Sequence, residues 1–157
     1  MADAPERLRL EKKDYHENIV IGDGNCFDSC LSLQIEHNQD NYNYYRQLIY
    51  NFIKDNKKPL KDFFDQKENE SKETYGQRYD KFIEDIQIDG NYAGDFEISS
   101  AFIALNKKII IYWNTIAGFE FLNQFSPVDK NNLEEIYLLY KNNKHFNIIL
   151  HKDINII

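Results

Sequence analysis

Cysteine and proline are scarce in this sequence, and it has no excess of positive charge. It carries only two cysteines, Cys26 and Cys30, in 157 residues. Two are too few for a disulfide framework or a structural zinc site, and an i,i+4 pair on one helix makes a poor bridge. A reducing compartment, the cytoplasm, is therefore the expected setting. The three prolines and six glycines stand singly, and neither a Pro/Gly/Ser-rich linker nor an internal repeat divides the chain. One domain over residues 1–157 is expected. Lys and Arg total 19 against 26 Asp and Glu, a net charge of −7. That balance lacks the clustered cations that nucleic acid requires and suits a basic partner or peptide segment better. No apolar run approaches transmembrane length, and Met1-Ala2-Asp3-Ala4 has no signal-peptide core, so no membrane role is expected.

What is abundant is aromatic: 11 Tyr and 11 Phe within a hydrophobic content of 42% predict an aromatic-rich core. Residues 1–14 are charged and aperiodic beyond Leu8 and Leu10, and read as a loosely ordered lead-in. Helical stripes follow at Tyr44, Tyr45, Leu48, Ile49, Phe52 and Ile53, with Asp40 as N-cap, then at Leu60, Phe63 and Phe64 after Pro59. A charged connection, Gln66 to Glu73, leads to Tyr75, Tyr79, Phe82, Ile83 and Ile86, and a further helix carries Ile98, Ala101, Phe102 and Leu105. The period then changes. Ile109–Trp113, Phe119–Leu122, Ile136–Tyr140 and Phe146–Leu150 are apolar runs of strand length, the last two joined by Lys141-Asn142-Asn143-Lys144 as a hairpin. Helices first and strands last predict an α/β (α+β) layer, a mostly antiparallel central sheet flanked by helices.

The chemistry concentrates at Ile19-Val20-Ile21-Gly22-Asp23-Gly24-Asn25-Cys26. Three β-branched residues read as a short buried strand, and Gly22 to Asn25 as a tight turn. From Cys26 onward Phe27, Cys30, Leu31 and Ile35 keep a helical period. A thiol on the first turn of a helix sits among unpaired N–H donors and partial positive charge, which stabilise a thiolate or a developing oxyanion. No Lys-Ser/Thr follows the glycines, which argues against a phosphate loop. Buried structural cysteine is the commoner use of the residue, so a nucleophile needs a base and a group to orient it. Of the four histidines, His16 and His37 lie in polar stretches and read as solvent-exposed. His145-Phe146-Asn147 and His151-Lys152-Asp153 each place a partner on the imidazole's own strand face. The two imidazoles lie about 20 Å apart along the strand, so only one can meet Cys26. Position at the strand's mouth favours His145 over His151 at the frayed end.

Three motifs in chain order make the sequence resemble the OTU (ovarian tumour) family of cysteine deubiquitinases over about residues 15–151. They are Asp23-Gly24-Asn25-Cys26 heading a helix, Asp89-Gly90-Asn91-Tyr92-Ala93-Gly94-Asp95 running into another, and His145-Phe146-Asn147 near the end. Two departures stand out. Phe27-Asp28-Ser29-Cys30 replaces the family's apolar residue, aromatic, Arg and small residue, and Tyr92-Ala93 replaces Trp-Gly. The resemblance implies a papain-type cysteine protease fold and a thiol-dependent deubiquitinase that needs no cofactor or metal. Cys26 would be the nucleophile, His145 the base and Asn147 its orienter, with the Asp23 to Cys26 turn (Asp23, Gly24, Asn25, Cys26) supplying oxyanion donors. Tyr92, Ala93, Gly94 and Asp95 would line the channel for ubiquitin's Gly-Gly tail. The implied partners of a monomeric enzyme are ubiquitin, polyubiquitin chains or ubiquitin-like modifiers. The alternative is an inactive OTU-like domain that binds ubiquitin or a ubiquitin-like protein without turnover.

Overall fold

The computed structural model describes residues 8–21, 23–127, 133–141 and 145–153. Two short strands, β1 (Arg9–Leu10) and β2 (Tyr15–Asn18), precede the helices α1 (Cys26–Glu36), α2 (Tyr42–Asp55), α3 (Lys57–Leu60), α4 (Lys72–Ile86) and α5 (Asp95–Leu105). Four strands follow: β3 (Lys108–Thr115), β4 (Gly118–Phe125), β5 (Glu135–Lys141) and β6 (His145–His151). They form one sheet in the order β1-β4-β3-β5-β6-β2. Every neighbouring pair is antiparallel except β3 with β5. The expected mostly antiparallel sheet with helices is the architecture found.

The continuous apolar runs of β3, β5 and β6 have a physical cause: both faces of these strands are buried. Ile109, Ile111, Ile136, Leu138, Phe146 and Ile148 meet the helical layer, among them Phe27, Leu31, Ile49, Tyr79 and Ile98. Ile110, Tyr112, Leu139 and Ile149 face the other way, where Leu10, Tyr15 and Phe119 cover them. Burial of each such side chain contributes about 1.5–3 kcal/mol.

The second face closes without helices. Only residues 11–14 separate β1 from β2, although these strands are the two edges of the sheet. Six flat strands would hold the edges about 24 Å apart, beyond the roughly 17 Å that five extended residues span. The 11–15 segment is moreover a turn, with the Asp14 and Tyr15 N–H groups both donating to the Glu11 carbonyl at 3.0 Å. The sheet therefore curls until its edges approach. An aromatic ladder, Tyr15–Tyr137–Tyr112–Phe121, runs inside the curl.

Several expectations are corrected here. Residues 8–14 are not a loose lead-in: Leu10 is fully buried, and the Leu8 carbonyl accepts from Phe121 N–H at 2.8 Å. Residues 1–7 and Gly22 lie outside the described residues, as do the tip of the Lys141–Lys144 hairpin, 142–144, and the segment Met1-Ala2-Asp3-Ala4. Ile19-Val20-Ile21 is not a buried strand. Pairing with β6 stops at Asn18 opposite Ile148, leaving Ile19 79% and Ile21 64% exposed, with only Val20 buried. His16 belongs to β2, opposite Leu150, rather than to a loop. The N-cap of α2 is Asn41, not Asp40. In the Gln66–Glu73 connection, Glu70 is anchored by Arg78 at 2.8 Å, and the Ser71 hydroxyl caps α4 by accepting from Thr74 N–H.

Candidate active site

Cys26 opens α1, and the turn before it is held at close quarters. The Asp23 carboxylate accepts from Asn25 N–H at 3.0 Å, and the Asp23 carbonyl accepts from Cys26 N–H at 3.3 Å. The Asn25 side-chain oxygen accepts from Gly90 N–H at 2.8 Å, which docks the 89–94 loop onto the turn. Gly24 permits that docking, because a Cβ added there would stand 1.4 Å from the Gly90 carbonyl oxygen. Gly90 itself has φ of 89°, a conformation side chains resist.

The pin through this junction is Arg46 of α2, a residue the stripe of aromatic and aliphatic positions did not flag. It is 4% exposed, and its Nη2 donates to the Gly24 carbonyl, to Asn25 Oδ1 at 2.8 Å and to the Asn91 carbonyl at 2.8 Å, while Nη1 reaches the Ile86 carbonyl. It also pairs with Asp28 at 3.0 Å. One guanidinium therefore joins the cysteine turn, the channel loop, α1 and the end of α4. Asp28 stands where the family pattern has an aromatic residue, and Arg46 arrives from another helix to meet it. Burial pushes the Asp28 carboxyl up to about 7, the Arg46 charge opposing and Glu97 adding to the rise. Glu97, whose carboxylate accepts from Gly94 N–H at 2.8 Å at the head of α5, is likewise pushed up to about 7 by burial.

The histidine side of the site comes from β6. His145 Nε2 lies 2.6 Å from Asn147 Oδ1, as residues two apart on one strand face allow. Asn147 is 2% exposed and has two further partners: its Oδ1 accepts from Val20 N–H at 2.9 Å, and its Nδ2 donates to the Glu17 carboxylate of β2. A backbone N–H can only donate and a carboxylate can only accept, so the two settle which way the amide points. Oδ1 then faces His145, Nε2 carries the hydrogen, and Nδ1 is left as the basic nitrogen. Glu17, which sequence reasoning missed, also pairs with Lys141 at 2.9 Å. Burial raises the Glu17 carboxyl, but the bonds to Lys141 and Asn147 and the charges of Lys141 and His145 outweigh it and hold the group below its usual value.

The thiol is packed against the same strand. Burial pushes Cys26 up from the ordinary thiol value, opposed by backbone hydrogen bonds from Phe146 and Phe27, while the Asp23 and Asp28 charges add to the rise. Phe146 follows His145 directly, so the thiol is bonded to the β6 backbone one residue past the histidine. Phe146 is gripped twice more, by the Cys30 thiol donating to its carbonyl at 3.3 Å and by the Phe27 ring at 5.9 Å. Of the oxyanion donors, Asp23 N–H bonds the Ile21 carbonyl, and Asn25 and Cys26 N–H point back to Asp23. Tyr92, Ala93 and Gly94 form the irregular approach to α5, which Asp95 opens, with Tyr92 45% exposed. His151 is turned to Asp153 at 3.3 Å and to the Tyr15 ring, away from this cluster. Among the described residues no three His, Cys, Asp or Glu side chains cluster as metal ligands, and no helix is long and apolar enough to cross a membrane.

A thiol at a helix head beside a strand-borne His–Asn pair is the layout of a cysteine protease. The comparisons with known proteins carry this to a family. Residues 21–152 match the profile described as OTU-like cysteine protease, and the chain belongs to that family. It is similar to the OVARIAN TUMOR DOMAIN-containing deubiquitinating enzyme 7 of Arabidopsis thaliana, at 27% identity over 134 residues, covering 85% of this chain and 32% of the relative. The chain thus spans about a third of that relative's length. Among solved structures the OTU domain of OTUD1 superposes with a TM-score of 0.69 at 17% identity, covering 87% of this chain and 85% of that one. The Hazara virus OTU bound to ubiquitin superposes with a TM-score of 0.66 at 17% identity, covering 91% and 86%.

Proposed function

We propose that this chain is a thiol-dependent deubiquitinase that hydrolyses isopeptide bonds at the ubiquitin C-terminus. The observation that carries the reading is the settled Asn147 amide, which presents its oxygen to His145 Nε2 at 2.6 Å beside a thiol bonded to the next residue's backbone. In this mechanism His145 Nδ1 takes the Cys26 proton, since burial keeps the resting sulfur protonated. The thiolate attacks the terminal glycine carbonyl of ubiquitin. The imidazolium, oriented by Asn147, gives its proton to the departing lysine amine and leaves a thioester. His145 then activates water, and hydrolysis restores the thiol. The oxyanion is stabilised by turn N–H groups that exchange their internal carbonyl and carboxylate partners for the substrate. Ubiquitin, as the Hazara virus OTU domain binds it, is the proposed partner, and the negative charge of −7 complements a basic tail. Action in a reducing cytosol suits a thiol nucleophile.

The internal bonding of the Asp23, Asn25 and Cys26 N–H groups also favours a second reading, a domain that binds ubiquitin without turning it over. One experiment separates the two. A ubiquitin bearing a C-terminal electrophile should label Cys26, a panel of di-ubiquitins should be cleaved, and Cys26→Ala should abolish both. Retained cleavage by Cys26→Ala defeats the cysteine mechanism. Calorimetric binding without cleavage of any linkage makes the chain a binder.

A further inference from the structure

We propose that Glu17 is a positioning residue for the His145 base, acting through Asn147 as the fixed negative charge at the end of a His145–Asn147–Glu17 relay. The proposal rests on the reading of Cys26 and His145 as nucleophile and base.

The geometry is specific. Asn147 can turn its amide over at little intrinsic cost, and with the NH2 group facing His145 it would hold the wrong tautomer. Val20 N–H opposes that flip from one side and the Glu17 carboxylate from the other, at the two ends of the same amide. Glu17 sits on β2 opposite Ile149, with its side chain 24% exposed and bonded to the buried Asn147 amide, so solvent screens its charge only in part. An Asn cannot stabilise the imidazolium by charge. The carboxylate that would do so is supplied from behind it, and the amide transmits it as a polarised hydrogen bond. Lys141, which pairs with Glu17 at 2.9 Å, lies directly opposite His145 in the β5–β6 register and moderates that charge. The remaining charged groups at the site, Asp23 and Asp28, act on Cys26 from the turn and from α1.

The test separates charge from scaffold. Cys26 alkylation by iodoacetamide is followed against pH by peptide-resolved mass spectrometry, alongside kcat and KM for di-ubiquitin. Glu17→Gln keeps an acceptor for Asn147 but removes the charge. Its acid limb of reactivity, where His145 gains the proton that stops it acting as base, should move to lower pH, with kcat down roughly tenfold and KM unchanged. Lys141→Met removes the moderating cation and should move the same limb to higher pH. Glu17→Ala, which loses charge and acceptor together, should lose more kcat than Glu17→Gln. Limbs that stay at the wild-type pH in both Glu17→Gln and Lys141→Met overturn the proposal, as does a loss confined to KM. The alkylation profile needs no substrate. Opposite shifts in a protein that cleaves no ubiquitin would keep the relay and reject the deubiquitinase, whereas cleavage with unmoved limbs does the reverse.

Discussion

Asn147 holds together what the two halves of the site contribute, and its neighbours explain why one histidine serves and another does not. His145 shares a strand face with Asn147 and meets its side-chain oxygen at 2.6 Å. His151, the last residue of β6, pairs with Asp153 in the turn beyond it and packs on Tyr15 at the far end. His145→Ala should therefore reduce kcat for di-ubiquitin by several orders of magnitude, whereas His151→Ala should leave it within about twofold. Comparable losses would place the base wrongly. Both histidines and the asparagine were legible in the sequence from their spacing alone. Glu17 and Arg46 were not. An acidic residue on an edge strand and an arginine beside Tyr45 carry no local signal of burial, though Arg46, Ile49, Tyr50 and Ile53 do share one helical face.

At the scale of elements, the cysteine turn and the 89–94 loop behave as one unit because Gly24 and Gly90 touch backbone to backbone. Gly24→Ala cannot be accommodated by a side chain swinging aside, since the obstruction is the Gly90 carbonyl 1.4 Å from the new Cβ. The turn or the loop must move, carrying Cys26 or Tyr92 with it. Labelling by a ubiquitin electrophile should fall by at least about a hundredfold, while the melting temperature drops only by several degrees. Full labelling in Gly24→Ala would mean the two loops are not coupled. Helices α1, α2, α4 and α5 followed from periodicity and the four later strands from their apolar runs, because each is long enough to display its pattern. β1 and β2 escaped notice. With 2 and 4 residues they have too little pattern of their own, and their pairing partners lie near residues 119 and 150.

Over the whole molecule, the centre of the helical layer is a buried charge cluster, and this sets the pH dependence of stability. Asp28 and Glu97 are both pushed from ordinary values of 3.8 and 4.5 up to about 7 by burial. The folded chain keeps protons there that the unfolded chain releases above about pH 4, so their favourable contribution is complete below that pH and is lost as pH rises through 7. Glu17, Glu70 and Glu134, all held below their usual values, act in the opposite sense but in a more acidic range. Between about pH 5 and pH 8 stability should fall by on the order of 2 kcal/mol, and Asp28→Asn should flatten that slope. Urea midpoints at the two pH values check it, and a midpoint that rises with pH contradicts it. Taken by itself, the amino-acid order determined the helix periods and apolar strand runs, the thiol at a helix head, the His–x–Asn spacing and the mostly antiparallel layer, since each depends on residues a few positions apart. The tertiary structure alone decided the curl of the sheet, the Arg46 pin and the Glu17 support of Asn147. Those contacts join residues 21 and 130 positions apart, and the pairing of such distant polar groups is selected by which faces the fold buries together, a property of the whole chain and of no segment within it.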